Sequence, residues 1–140
     1  MSEPGLQLQQ RLRGQGYSLT AARKAVFTAL QGSEPQTIRK LVERCPTIDR
    51  ASVYRTVALF EVLDIVQRLQ IGWKYKLELS DQYAPHHHHA SCMRCGKIFG
   101  LPEDTILEER LKQLAANLSF VPQDHQLEIR GLCSVCRIQA

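Results

Sequence analysis

The stretch DRASVYRTVALF, residues 49–60, is followed four residues later by IVQRLQIGWKYKLEL, residues 65–79, and the change of period between them decides how the chain is read. In the first, Asp49 can accept from the amides of an opening helical turn, and Val53, Val57 and Phe60 recur at helical spacing on one face. At about 100 degrees per residue, Ala51, Arg55 and Ala58 fall on the far side, flanked by Ser52 and Tyr54. The second stretch alternates with period two. Trp73, Tyr75, Leu77 and Leu79 share one face and Lys74, Lys76 and Glu78 the other, with a turn at Gly72.

Two further helices precede these elements. Thr20 caps AARKAVFTAL, with Ala22, Val26 and Leu30 inward. TIRKLVERC then places Ile38, Leu41, Val42 and Cys45 on one face and ends at Pro46, so Cys45 reads as a core thiol. Three helices followed by a lysine-bearing hairpin outline a winged helix. The small residues around Arg55 allow close approach to a DNA major groove, where Arg55 can bind a guanine edge and Tyr54 or Ser52 a thymine methyl or phosphate. Lys74 and Lys76 are placed for phosphate.

Charge supports that division. Residues 1–80 hold twelve basic and seven acidic residues, giving +5, whereas 81–140 hold six and seven, giving −1. A polyanion is therefore expected to dock on the first part. No apolar run approaches the roughly 18 residues that span a bilayer. The opening MSEPGLQLQQ lacks the basic and apolar regions of a signal peptide, so a cytoplasmic location without membrane attachment is expected.

The second part carries metal-type chemistry. Four of the five cysteines form two Cys-x-x-Cys pairs, Cys92 with Cys95 and Cys133 with Cys136. Each pair presents two sulfurs to one ion, Gly96 suits the first turn, and together they complete a closed tetrahedral thiolate shell for a structural Zn2+. A disulfide framework is not expected in a reducing compartment. The five histidines are His86, His87, His88, His89 and His125. In an extended strand His86 and His88 face one way and His87 and His89 the other, so one strand can feed two metal sites. Leu107, Leu111, Leu114 and Leu118 mark the buried face of a helix on which Glu108 or Glu109 can supply a carboxylate. Neither the His-x-Glu with Pro-Cys-x-x-Cys of zinc deaminases nor a His-Glu-x-x-His occurs, so no enzyme is expected.

Taken in order, GYSLTAARKAVFTAL, ASVYRTVALFEVLDIV, HHHHASCMRCGKI and HQLEIRGLCSVC resemble the ferric uptake regulator superfamily over nearly the full length. The resemblance implies an α+β chain: a winged-helix DNA-binding domain at 1–80, a linker at 81–85, and a small α+β dimerisation and metal-binding domain at 86–140. It implies a homodimer on an AT-rich palindrome, repressing metal-uptake genes when metal is abundant. Cys92, Cys95, Cys133 and Cys136 match the structural zinc set. Glu78, His87 and His89 match an interdomain regulatory site, and His86, His88, Glu108 and His125 a site within the dimerisation domain. Tyr54 and Arg55 match the base-contacting pair, with Thr20 and Arg23 nearby; Ser52 and Lys74 join the DNA set from the helix and hairpin readings.

There are departures. Pro35 stands where the family often supplies another histidine ligand, Gly100 where peroxide sensors use aspartate, Asp64 where a glycine is usual, and Ser18 where a basic residue is common. His and carboxylate ligands suit Fe2+, Zn2+ and Mn2+ alike, leaving the sensed metal open. The altered Asp64 and Ser18 also leave open a metal buffer or storage protein that has lost sequence reading.

Overall fold

The computed structural model describes residues 2–71 and 73–139 of the chain. It falls into two compact units, Met1–Pro85 and His86–Ala140.

The first unit contains α1 (Glu3–Gly14), α2 (Ala21–Leu30), α3 (Ile38–Arg44), α4 (Arg50–Val62), β1 (Val66–Ile71) and β2 (Lys74–Leu79). The caps fall where the hydroxyl and carboxylate residues placed them. Thr20 accepts from the Arg23 amide at 3.3 Å, and Asp49 from the Ser52 amide at 3.0 Å. A similar cap from Thr37 opens α3. Val53, Val57 and Phe60 of α4 are buried against Val26 and Leu30 of α2 and Leu41 of α3. Phe60 is fully enclosed, and its truncation to alanine would remove about 3–5 kcal/mol.

Helix α1 was not anticipated from the sequence. It contributes Leu8 and Leu12 to the core, and Arg11 from its outer face donates to the Leu63 carbonyl through Nε at 3.3 Å and a terminal nitrogen at 3.1 Å. That carbonyl lies at the C-cap of α4, so α1 is tied to the end of the arginine-bearing helix. The same end is closed by paired amides: Ile65 donates to Phe60 at 2.8 Å and Asp64 to Glu61 at 3.1 Å. This termination requires a left-handed residue, and Asp64 adopts it with φ 58°. Glycine is the residue this conformation ordinarily favours.

Strands β1 and β2 pair antiparallel from Val66 opposite Leu79 to Ile71 opposite Lys74. Leu77 and Leu79 point into the core, as the alternation implied, and Tyr75 is half-buried. Trp73 does not join them. Pairing starts at Lys74, so Trp73 sits in the connecting turn, where strand period no longer sets a face, and is 85% exposed. The expected turn residue Gly72 lies outside the described residues. After Ser80 a turn brings Tyr83 edge-on to Phe27, ring centroids 5.6 Å apart.

In the second unit β3 (His88–Cys92) is the central strand, antiparallel to β4 (Ile98–Leu101) and parallel to β5 (Glu128–Gly131), with α5 (Thr105–Ala116) between β4 and β5 in sequence. Asp104 caps α5, accepting from the Ile106 and Leu107 amides. The leucine stripe of α5 was expected to be buried, and this is corrected: Leu107 and Leu111 are half-covered, Leu114 is exposed, and Leu118 beyond the helix is 80% exposed. A three-stranded sheet of four- and five-residue strands offers too little apolar surface to cover that stripe within the chain.

Candidate metal centres and nucleic-acid interface

The cysteine cluster is built by the end of β3 and the segment after β5. Cys92 closes β3, the chain turns through residues 93–95, and Gly96 takes φ 75° so that its amide reaches the Cys92 carbonyl at 2.9 Å. On the other side, Met93 donates to the Gly131 carbonyl at 2.8 Å and Arg94 to the Cys136 carbonyl at 3.1 Å, locking the two knuckles together. All four sulfurs lie within 4.8 Å of one another, with Cys95 and Cys133 Sγ 3.9 Å apart. A tetrahedral ion with bonds of about 2.3 Å to sulfur requires sulfur separations of about 3.8 Å, so the cage fits Zn2+.

Backbone amides are aimed at the sulfurs: Cys133 donates to Cys92 at 3.4 Å and Cys136 to Cys133 at 3.5 Å. Amide donation, that of Cys95 foremost, draws the Cys92 thiol down to about 5. Burial pushes Cys136 up to about 12, with the neighbouring sulfurs adding to it. Four thiolates cannot share this space without a cation. Zinc would supply the neutralising charge and displace the remaining protons.

The histidine run divides as its alternation required. Rings of His86 and His88 are 4.7 Å apart on one side, those of His87 and His89 4.6 Å apart on the other. Strand pairing begins only at His88, so His86 and His87 lead into the strand rather than lying in it. The first pair meets Glu108 of α5 and His125 of the segment before β5. Glu108 Oε1 is 2.5 Å from His88 Nε2 and 3.4 Å from His86 Nε2, and Oε2 is 2.8 Å from His125 Nε2. His88 is buried and its partners half-buried. The hydrogen bond from His88 above all, and then the surrounding imidazoles, hold the Glu108 carboxyl below the usual carboxylate value. Three nitrogens and one carboxylate converge within 4.8 Å, a donor set that suits Zn2+, Fe2+ or Mn2+. Glu109, the other carboxylate considered, is exposed.

Around His87 and His89 the second unit adds features the sequence reading passed over. Glu128 pairs in register with His89 across β5, accepts from Ser91 Oγ at 2.7 Å, and is gripped by Arg130 at 3.0 and 3.2 Å. Its position opposite the histidine strand was readable in the alternation of QLEIRG once a parallel pairing was assumed. Gly100 lies opposite His89 on β4, and a Cβ there would meet His87 Cδ2 at 4.0 Å. In the first unit, Glu78 is buried near the end of β2 and accepts from Gln67 Nε2 at 2.6 Å.

The outer face of α4 presents Arg55, Ala51 and Ala58 to solvent, with Tyr54 beside them. Arg55 donates to Ser52 Oγ at 3.1 Å, and Ser52 in turn donates to Asp49 at 2.6 Å, so the arginine is oriented by the helix's own cap. Tyr54 is held by Arg50, which donates to its hydroxyl at 3.3 Å and lies 5.4 Å from its ring centroid. Arg50 was not singled out in the sequence; its i, i+4 spacing to Tyr54 is the signal that identifies it. Thr20 is occupied as a helix cap. Arg23 lies 5.3 Å over the Tyr17 ring and donates to the Ser18 carbonyl at 2.6 Å. Lys74 is exposed at the hairpin end, 5.1 Å from the Trp73 ring.

Residues 14–130 match the ferric uptake regulator family model. The chain is 31% identical to the ferric uptake regulation protein of Bacillus subtilis over 137 residues, covering 92% of this chain and 91% of that one. It is 33% identical to the protein of that name from Vibrio parahaemolyticus over 132 residues, covering 89% and 87%. Among solved structures, the Vibrio cholerae ferric uptake regulator, whose DNA-binding domains are described as rearranged, superposes with a TM-score of 0.70 at 29% identity, covering 89% of this chain and 98% of that one.

Proposed function

The chain belongs to the ferric uptake regulator family, and from that premise we propose that it is a metal-dependent DNA-binding transcriptional repressor controlling metal-ion uptake genes, with iron or zinc as its signal. The observation that carries the reading is the splitting of the histidine run: His87, just before β3, and His89 within it pair on the side away from the Glu108 cluster, within eleven residues of Glu78. A cation held by Glu78, His87 and His89 would join the winged helix to the second domain. Pro35, where relatives often offer a fourth ligand, leaves three protein ligands, which suits reversible occupancy.

The other sites have different roles. Cys92, Cys95, Cys133 and Cys136 hold a structural Zn2+ that secures the knuckles of the second domain. His86, His88, Glu108 and His125 tie β3, α5 and the segment before β5 to one further ion. The exposed stripe of Leu114, Leu118, Val121 and Ile129, together with the outer edge of β5, supports a homodimer built through the second domain. Two-fold symmetry then presents two α4 helices to half-sites of a palindrome spaced by about 10 base pairs or a multiple. Arg55 and Tyr54 read base edges, Ser52, Arg23 and Lys74 contact the backbone, and Thr20 orders the helix that carries Arg23. Filling the interdomain site fixes the spacing of the two α4 helices; emptying it lets the domains move and affinity falls. Such a protein acts on DNA in the cytoplasm; among the described residues no helix is long and apolar enough to cross a membrane.

The test is selection from a random duplex pool by protein that retains its cysteine zinc, without added metal and with Zn2+, Fe2+ or Mn2+ under anaerobic conditions. Enrichment of one palindrome with a single metal is expected. Absence of enrichment under every condition would overturn the reading in favour of a metal buffer.

A further inference from the structure

The hairpin β1–β2 ends in a side chain that the fold does not use. Trp73 is 85% exposed at the turn, and it is the single tryptophan of the chain. An indole that is covered removes roughly 150–250 Å² from water, so a partner that packs against this tip gains a large apolar contact.

Its surroundings indicate what that is. Between Val66 and Leu77 the hairpin carries Arg68, Lys74 and Lys76 and no acidic residue. Arg68 is engaged at the inner end, bonded to Glu61 at 2.8 Å and stacked 4.1 Å over Tyr75, so Lys74 and Lys76 carry the charge toward the tip. Lys74 Nζ stands 5.1 Å from the Trp73 ring centroid. An apolar ring flanked by cations fits a polyanion with apolar sugar edges, and like charges disfavour a second copy of the same tip. The six-residue strand β1 follows α4 after three connecting residues and extends about 20 Å. The major groove is about 12 Å wide, so a hairpin of that length can reach the phosphate wall and minor groove beside the groove that α4 occupies.

We infer that Trp73 is a DNA contact of the wing, packing its indole against the sugar edges of the flanking minor groove while Lys74 neutralises the adjacent phosphate. The inference rests on the repressor reading and adds to it an apolar contact whose contribution does not depend on counterion release.

Because the chain has one tryptophan, its emission reports this site alone. Wild-type protein loaded with the activating metal is titrated with the duplex it enriches from a random pool, and binding is followed in parallel by anisotropy of a labelled duplex. Saturable change in Trp73 emission and reduced quenching by acrylamide are expected at the same midpoint as anisotropy. Trp73→Ala should weaken binding about tenfold with an unchanged salt slope, and Trp73→Phe should restore most of it. Duplex binding by anisotropy with Trp73 still fully quenchable, or wild-type affinity in Trp73→Ala, would overturn this inference and leave the repressor reading intact. A concentration-dependent emission shift without DNA would also overturn it, assigning the indole to self-association. Failure of wild-type protein to enrich any duplex would overturn both.

Discussion

Glu108 bridges two histidines: Oε1 lies 2.5 Å from His88 Nε2 and Oε2 lies 2.8 Å from His125 Nε2. A carboxylate set between the histidine strand and the segment leading into β5 is placed to share a cation with both rings. Glu108 therefore joins three segments of the second domain with or without a metal.

The His88 hydrogen bond holds Glu108 below its usual value of 4.5. A carboxyl depressed in the folded state contributes stability that is fully present above the usual value and is lost as pH falls through the lower folded value. In protein that keeps its cysteine zinc but has no other metal, Glu108→Gln should lower the melting temperature near neutral pH. The gap to wild type should close as the pH drops below about 4.5. Thermal denaturation across that range checks it, and a gap independent of pH would contradict the assignment.

On DNA, Arg55 and Lys74 should fail differently. In the proposed repressor Arg55, oriented by Ser52 and Asp49, reads a base edge; Arg55→Ala should then cost about 1–3 kcal/mol of discrimination and relax preference at one position in each half-site. Lys74→Ala should weaken all sequences alike and reduce the salt slope by about 1 per protomer. Binding to the selected duplex and to single-base variants at several salt concentrations separates the two. Uniform weakening in Arg55→Ala would identify Arg55 as a phosphate contact.

Asp64 is a stability defect that can be repaired. With φ 58° at the C-terminal end of α4, replacement by glycine relieves left-handed strain while retaining the paired amides to Phe60 and Glu61. Asp64→Gly should raise stability by up to about 1 kcal/mol, the gain being limited by the greater freedom of glycine in the unfolded chain. Chemical denaturation of wild type and variant measures it.

Much of this arrangement is legible in the sequence because it depends on short-range periods. The α4 stripe of Val53, Val57 and Phe60, the caps at Thr20 and Asp49, and the opposed histidine pairs all follow from 3.6- and two-residue repeats. Helix α1 was not legible: Leu8 and Leu12 form a single i, i+4 pair among glutamines, and only tertiary packing makes that pair count. Trp73 was assigned a face by extending the strand period one residue past the last paired position. The leucine stripe of α5 was recognised as apolar, but sequence does not say whether its cover comes from the same chain. The choice of Glu108 over Glu109 came from the family resemblance, because it depends on how α5 is rotated against β3, which no local pattern encodes.

Metal at the Glu78, His87 and His89 site is proposed to control DNA binding, and replacing both histidines removes that site while leaving the others. His87→Ala/His89→Ala protein should retain its cysteine zinc and its thermal transition, yet bind the selected duplex no better with Zn2+, Fe2+ or Mn2+ than without. Metal-stimulated binding equal to wild type would contradict the account.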